Sequence, residues 1–289
     1  MKIALIQQAY KASKKDTINN TLKLIKKASK KGVDLVCLNE LHQNEYFCQK
    51  EDINNFDLAK DYEKDIDFWS KVAKENNIVL ISSLFEKRSI GIYHNSAIVF
   101  DKDGSIAGKY RKMHIPDDPN FYEKFYFMPG DLGFEPINTS IGRLGVLICW
   151  DQWFPEAARI MALKGADILI YPTAIGWFDS DSDEEKAKQL EAWVAIQRGH
   201  AIANGLSVLA INRVGLEKGE NNTSIRFWGN SFAFGPQGEE IFRANSIDED
   251  TFIIDIDLNR NEYVRRWWQF FRDRRVEFYQ PLLKKFDDN

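Results

Sequence analysis

Short apolar runs rich in isoleucine, valine and leucine recur at 3–6, 33–38, 78–84, 144–149, 166–171, 206–211 and 251–256. Each has the length of a buried strand. Longer amphipathic stretches lie between several of them. Asp16 is placed to cap a helix that carries Ile18, Leu22, Ile25 and Ala28 on one face and stops near Gly32. Similar patterns span about 61–76, 155–164 and 184–204. This alternation predicts an α/β fold. DKDG at 101–104 and GPQG at 235–238 each separate two strand-like runs, so hairpins are mixed in and the sheets should be mixed too. No linker rich in Pro, Gly and Ser and no fixed-period repeat divides the chain, so residues 1–289 are expected to form a single domain.

Composition narrows the functional classes. With 44% hydrophobic and 28% charged residues among 289, the chain can bury a substantial core and is not disordered. MKIALIQQAY runs into KASKKD too soon for a signal peptide, and no stretch approaches the roughly 18 apolar residues of a membrane span. Cys37, Cys48 and Cys149 cannot all pair within the chain, which fits a reduced, cytoplasmic protein. A net charge of -4 gives no general attraction to nucleic acid. RRWWQFFRDRR, at 265–275, mixes arginines with aromatics, but it reads better as a helix closing on the core or as a subunit contact. Neither nucleic acid nor membrane is therefore an expected partner. Cys37 and Cys48 lie eleven residues apart with His42 between them, so close zinc-ligand spacing is absent, and no metal is expected. No phosphate-cradling GxxxxGK[ST] motif occurs, nor a GxGxxG after a strand, so no cofactor is expected either.

Three residues are candidates for chemistry by position. Cys149 ends RLGVLIC and precedes WDQWFPEAAR, where Pro155 suits the first turn of a helix. The thiol thus sits at a strand-to-turn corner, where following backbone N–H groups converge, as acyl transfer requires. It can equally be a small core residue. Glu40 closes VDLVCLNE at a matching strand end and can take a thiol proton, or can be a solvated loop acid. Lys112, in GKYRKMHIPDDP, can stabilise an oxyanion, or can belong with Lys109 and Arg111 to a solvated basic face.

Together, LNELHQ around Glu40, KYRKMHIP around Lys112 and LICWDQWFPEAAR around Cys149 resemble the nitrilase superfamily, in that family's order. YPTAIG at 171–176, AWVAIQRGHAIANG at 192–205 and INR at 211–213 look like later landmarks of the same family. The resemblance implies a four-layer α-β-β-α sandwich with Cys149 as nucleophile, Glu40 as general base and Lys112 as oxyanion partner. It also implies a homodimer or larger homo-oligomer, with 265–289 available for subunit contacts. Glu123, in FYEKFYFMPGD, matches a second family glutamate beside the triad, able to position Lys112 or the attacking water; its alternative is a loop acid paired with Lys124.

The substrate is read from charge and aromatics. Asp117, Asp118 and Asp151 would suit a ureido or amide substrate with a cationic tail, whereas a carboxylate tail would call for Arg or Lys. Trp150, Trp153 and Trp177 can line an aliphatic chain or meet an ammonium, or can pack in the core. HIPDDPNFYEKFYFMPGD resembles the family branch acting on N-carbamoylputrescine more than the branches acting on carbamoyl-β-alanine or nitriles. That resemblance implies hydrolysis to putrescine, ammonia and carbon dioxide in polyamine synthesis. The alternatives are another amidase or ureidopropionase of the family, or a non-catalytic assembly module.

Overall fold

The computed structural model describes residues 1–220 and 223–287. The first half runs β1 (Lys2–Gln7), α1 (Lys14–Ser29), β2 (Leu35–Leu38), α2 (Tyr62–Asn76), β3 (Val79–Ser89), β4 (Ile92–Phe100), β5 (Ile106–Arg111) and a single turn α3 (Glu123–Tyr126). It continues with β6 (Ile137–Thr139), β7 (Gly142–Val146), α4 (Pro155–Leu163), β8 (Ile168–Thr173), β9 (Gly176–Phe178) and α5 (Asp183–Asn204). The rest is β10 (Ser207–Asn212), β11 (Val214–Lys218), β12 (Ser224–Trp228), β13 (Phe232–Phe234), β14 (Glu240–Arg243), β15 (Asp250–Asp255) and α6 (Asn259–Trp267).

The strands form two six-stranded sheets, ordered β15-β1-β2-β3-β4-β5 and β14-β13-β10-β8-β7-β6, and a small sheet β11-β12-β9. Parallel pairing is confined to β1-β2-β3 and to β10-β8-β7, with antiparallel strands at the flanks, so both large sheets are mixed as the sequence suggests. The period-two alternation of strand side chains builds the layers. Ile3 and Leu5 of β1, Leu35 and Cys37 of β2, and Val79 and Ile81 of β3 join Val146, Ile168, Ile170 and Val208 of the second sheet in one buried cluster. Their neighbours Ala4, Ile6, Val36, Leu38 and Leu80 point the other way, onto Ile25 and Ala28 of α1 and Ile66 and Trp69 of α2. Ala157, Met161 and Trp193 bring α4 and α5 against the second sheet, completing an α-β-β-α sandwich. Burying a large aliphatic side chain contributes about 1.5–3 kcal/mol, so the outer helices are held mainly by these contacts.

Local chemistry sets the boundaries. Ser13, not Asp16, caps α1: its hydroxyl accepts the Asp16 N–H, and Asp16 lies within the first turn. The face of α1 is also turned from the expected one, because Thr17 and Thr21 are buried with Ile25 and Ala28, while Ile18 and Leu22 are only partly covered. Thr21 can afford burial because its hydroxyl bonds Gln8 and the Thr17 carbonyl. Both expected hairpins form, with left-handed Gly104 (φ 86°) and Gly238 (φ 78°) closing them. The run 144–149 departs from a plain strand: β7 ends at Val146, and a 3-10 turn begins at Cys149. Pro155 opens α4 as its first residue. At the C-terminal end, α6 buries Val264 but leaves Trp267, Trp268 and Phe270 exposed. Among the described residues, no helix is long and apolar enough to cross a membrane, and no cluster of His, Cys, Asp and Glu could hold a metal.

Glu86 on β3 is nearly buried and accepts from Arg111 Nη2 (2.7 Å), Arg111 Nε (2.9 Å) and Lys109 Nζ (2.7 Å) of β5. Burial favours its neutral form, but Arg111, Lys109 and Ser96 outweigh that and bring it down to about 2. The folded value is depressed, so this stabilisation is complete above the ordinary glutamate range near 4.5 and is lost as pH falls toward 2. Urea unfolding measured from pH 6 to pH 2.5 should therefore lose stability more steeply in the wild type than in Glu86→Gln. Parallel curves would contradict the assignment.

Candidate active site

Glu40 and Lys112 follow the carboxyl ends of β2 and β5 in the first sheet, and Cys149 follows the carboxyl end of β7 in the second. Packing the two sheets face to face brings the three segments together. Lys112 Nζ donates to Glu40 Oε1 at 2.8 Å and to Glu123 Oε2 at 2.6 Å. All three side chains are buried. Neither solvated-surface alternative holds for Glu40 or Lys112, and Glu123 pairs with Lys112 rather than Lys124.

Burial alone would push the Lys112 ammonium toward neutrality, but Glu123 and Glu40 outweigh it and hold its pKa well above the usual lysine value. Glu123 is raised to about 7, chiefly by burial and also by Glu40, against the pull of Lys112. Tyr46 Oη donates to Glu123 Oε1 at 2.7 Å. Asn95 Nδ2 donates to Glu40 Oε1 at 2.7 Å, while its carbonyl oxygen accepts from Ser83 Oγ at 3.3 Å. Both donors thus converge on Glu40 Oε1, and Oε2 is buried with no hydrogen-bond partner among the described residues. That oxygen is available to a thiol or water proton.

Both key segments bend through left-handed residues that are not glycine: Leu41 (φ 46°), next to Glu40, and Cys149 itself (φ 42°). Each such residue costs about 1–3 kcal/mol and persists only where its surroundings impose it. Around Leu41, Ser83 Oγ accepts its N–H at 3.1 Å, and buried Arg213 donates to the carbonyls of Leu41 and Asn44 at 2.9 Å each. Cys149 is nearly buried, with Sγ 3.9 Å from the Ala174 carbonyl oxygen. Burial, then Glu40, raise its thiol pKa well above the usual cysteine value, outweighing Lys112. The resting thiol is therefore protonated, and nucleophilic attack needs a base. Buried Cys37 and Cys48 are also raised by burial. Cys37 lies in the core between the sheets.

A cavity of about 470 Å³ opens onto Cys149 and Glu123, walled by Trp150, Trp153, Phe121, Phe178 and Trp228, with Asp118 and Gln189 among its polar lining. Of the expected substrate-contacting residues, Trp150 and Asp118 line it. Asp117 is exposed and lies outside the lining. Trp177 is also outside: it packs against the core and donates its indole N–H to the Lys186 carbonyl at 2.9 Å. Asp151 is fully buried and its carboxylate is taken up by Tyr110, His114 and Ile148, so no part of it is offered to a substrate cation. Sequence reasoning missed Asn95 and Tyr46. A signal existed for Asn95 in the polar HNS interrupting an otherwise apolar strand; Tyr46, in an irregular segment, had none.

The chain matches the model of the family described as carbon-nitrogen hydrolase over residues 2–266. It is 42% identical over 286 residues to an N-carbamoylputrescine amidase of Oryza sativa subsp. japonica, covering 97% of this chain and 94% of the relative. It is 39% identical over 288 residues to a citrullinase of Francisella tularensis, covering 99% of each. Its structure superposes on a carbon-nitrogen hydrolase from Helicobacter pylori with a TM-score of 0.97, at 56% identity and 99% coverage of both chains.

Removing one member of a buried ion cluster leaves the others uncompensated. Lys112→Ala should destabilise the fold by about 3–5 kcal/mol, read by urea unfolding at pH 7. A loss below about 1 kcal/mol would mean that water reaches Glu40 and Glu123 freely.

Proposed function

The chain belongs to the carbon-nitrogen hydrolase family, and from that premise we propose that it hydrolyses N-carbamoylputrescine to putrescine, ammonia and carbon dioxide in polyamine synthesis. The observation that carries the substrate choice is the cavity lining. The walls are aromatic and suit an alkyl chain; Asp118 is available for a terminal ammonium; and no Lys or Arg occurs among the described lining residues. A citrulline-like substrate brings an α-carboxylate, for which this lining offers no cation.

In the proposed mechanism Glu40 Oε2 takes the Cys149 proton as Sγ attacks the ureido carbon. Lys112 and the Trp150 backbone N–H hold the charge that develops on the oxygen. Glu40 passes its proton to the terminal nitrogen, the C–N bond breaks, and ammonia leaves a thiocarbamate on Cys149. Water, deprotonated by Glu40, then attacks the same carbon. The C–S bond breaks, the thiol is restored, and the released carbamate loses carbon dioxide to give putrescine. Glu123 holds the Lys112 ammonium in register throughout.

We further propose that the chain acts as one domain in the cytoplasm and assembles as a homodimer or larger even-numbered oligomer. Free, buried cysteines support a reducing compartment. Exposed Trp267, Trp268, Phe278 and Leu283 support subunit contacts through 265–289, of which 288–289 lie outside the described residues. Light scattering at micromolar concentration should give a dimer or larger; a persistent monomer would refute the assembly.

Cys149→Ala is expected to abolish ammonia release from N-carbamoylputrescine, whereas Cys37→Ala and Cys48→Ala retain it. Comparable turnover by purified Cys149→Ala would end the mechanism. Across a panel of ureido compounds, kcat/KM should favour the cationic substrate over N-carbamoyl-β-alanine and citrulline by at least tenfold, or about 1.4 kcal/mol. Asp118→Asn should remove most of that preference. Equal or better hydrolysis of a carboxylate substrate would overturn the putrescine assignment.

A further inference from the structure

Asp151 is two residues beyond the nucleophile and fully buried, yet it faces away from the substrate cavity. Its Oδ2 accepts from Tyr110 Oη at 2.8 Å and from the Ile148 N–H at 2.9 Å. Its Oδ1 accepts from the His114 N–H at 3.0 Å and lies 2.7 Å from His114 Nδ1. Tyr110 and His114 are the residues two before and two after Lys112, and Ile148 directly precedes Cys149. One carboxylate therefore grips both sides of the lysine segment and the entry to the cysteine turn. The His114 ring is held in turn by stacking on Phe154 at 3.7 Å between centroids, with the planes 5° apart.

The lysine segment belongs to the first sheet and the cysteine turn to the second. Sheets packed only through apolar side chains have no directional bond to set their relative position, whereas a charge-assisted hydrogen-bond set does. We propose that Asp151 is a positioning residue, fixing Lys112 relative to Cys149 across the two sheets so that the ammonium meets the oxyanion as it forms. The proposal rests on the roles given above to Cys149 and Lys112. Asp151 holds no substrate atom, so its loss should act on kcat and on the reactivity of Cys149 rather than on KM. The charged groups that act most strongly on the Cys149 thiol are Glu40, Lys112 and Glu123. Tyr110→Phe removes a contact while leaving the Asp151 carboxylate in place, so a fall in thiol reactivity in that variant reports geometry and not a lost neighbouring charge.

The test compares wild type with Asp151→Asn, which keeps size but turns an amide N–H₂ toward groups that are themselves donors. Tyr110→Phe removes one of the four contacts and serves as the milder variant should Asp151→Asn fail to fold. For folded protein, verified by near-UV circular dichroism, kcat for N-carbamoylputrescine should fall at least tenfold in Asp151→Asn and at least threefold in Tyr110→Phe. KM should stay within threefold. The rate at which iodoacetamide alkylates Cys149 at pH 7, corrected for labelling of Cys149→Ala, should fall in the same order. The alkylation arm needs no substrate, so it tests the tie even if the ureido assignment fails. Unchanged kcat and unchanged alkylation in the folded variants would overturn the proposal, as would a change confined to KM.

Discussion

Lys112 Nζ lies 2.8 Å from Glu40 Oε1 and 2.6 Å from Glu123 Oε2, with all three side chains out of reach of solvent. An isolated ammonium in such a place would give up its proton, and an isolated carboxylate would take one. Lys112 stays charged because Glu123 and Glu40 outweigh the cost of burial, so the lysine depends on both carboxylates. The demands it places on the fold are correspondingly strict. The segments after β2 and β5 and the single turn α3 must meet within hydrogen-bond reach, with surrounding polar groups donating to the carboxylates. Tyr46 does this for Glu123, whereas Asn95, backed by Ser83, adds a second donor to Glu40 Oε1 and leaves Oε2 without a partner among the described residues.

In the proposed mechanism the cluster is also what would let a buried, protonated cysteine serve as nucleophile. The same desolvation that keeps the Cys149 thiol neutral leaves Glu40 Oε2 without a competing donor among the described residues. Under the proposed roles, that free oxygen is reserved for the reacting proton, and Lys112 acts when negative charge appears on the substrate. Left-handed Cys149 and Leu41 show the backbone conforming to that arrangement, since neither residue type favours φ near 45° without constraint.

How much of this was legible in the sequence depends on whether the signal was periodic, chemical or three-dimensional. Strand and helix periodicity revealed the layers, because Ile3 and Leu5 against Ala4 and Ile6 is a local alternation that the sandwich turns into two faces. Glu40, Lys112 and Cys149 were visible from strand-end position, and three ordered motifs made them a set. The α1 boundary was missed because Ser13 and Asp16 are both good caps and the first to meet the helix takes the role. Asp151 and Trp177 were misread for a related reason. A charge two residues from Cys149 signals only proximity along the chain, and the direction of Asp151 and of the Trp177 indole depends on partners, Tyr110 and His114 for one and the Lys186 carbonyl for the other, that the motif does not reveal. Asn95 and Tyr46 act through contacts formed only when β4 and the segment after Glu40 reach the site.

The claim on which the account stands is that Glu40 acts on Cys149 as a proton acceptor and not merely as a nearby negative charge. Alkylation of Cys149 by iodoacetamide at pH 7 in wild type and Glu40→Gln separates the two, because they predict opposite signs. As a base, Glu40 is needed to unmask the sulfur, so wild type should label stoichiometrically and Glu40→Gln should label far more slowly. As a mere charge, Glu40 holds the thiol protonated, and its neutralisation beside Lys112 would leave labelling equal or faster. Equal or faster labelling of Glu40→Gln would contradict the mechanism.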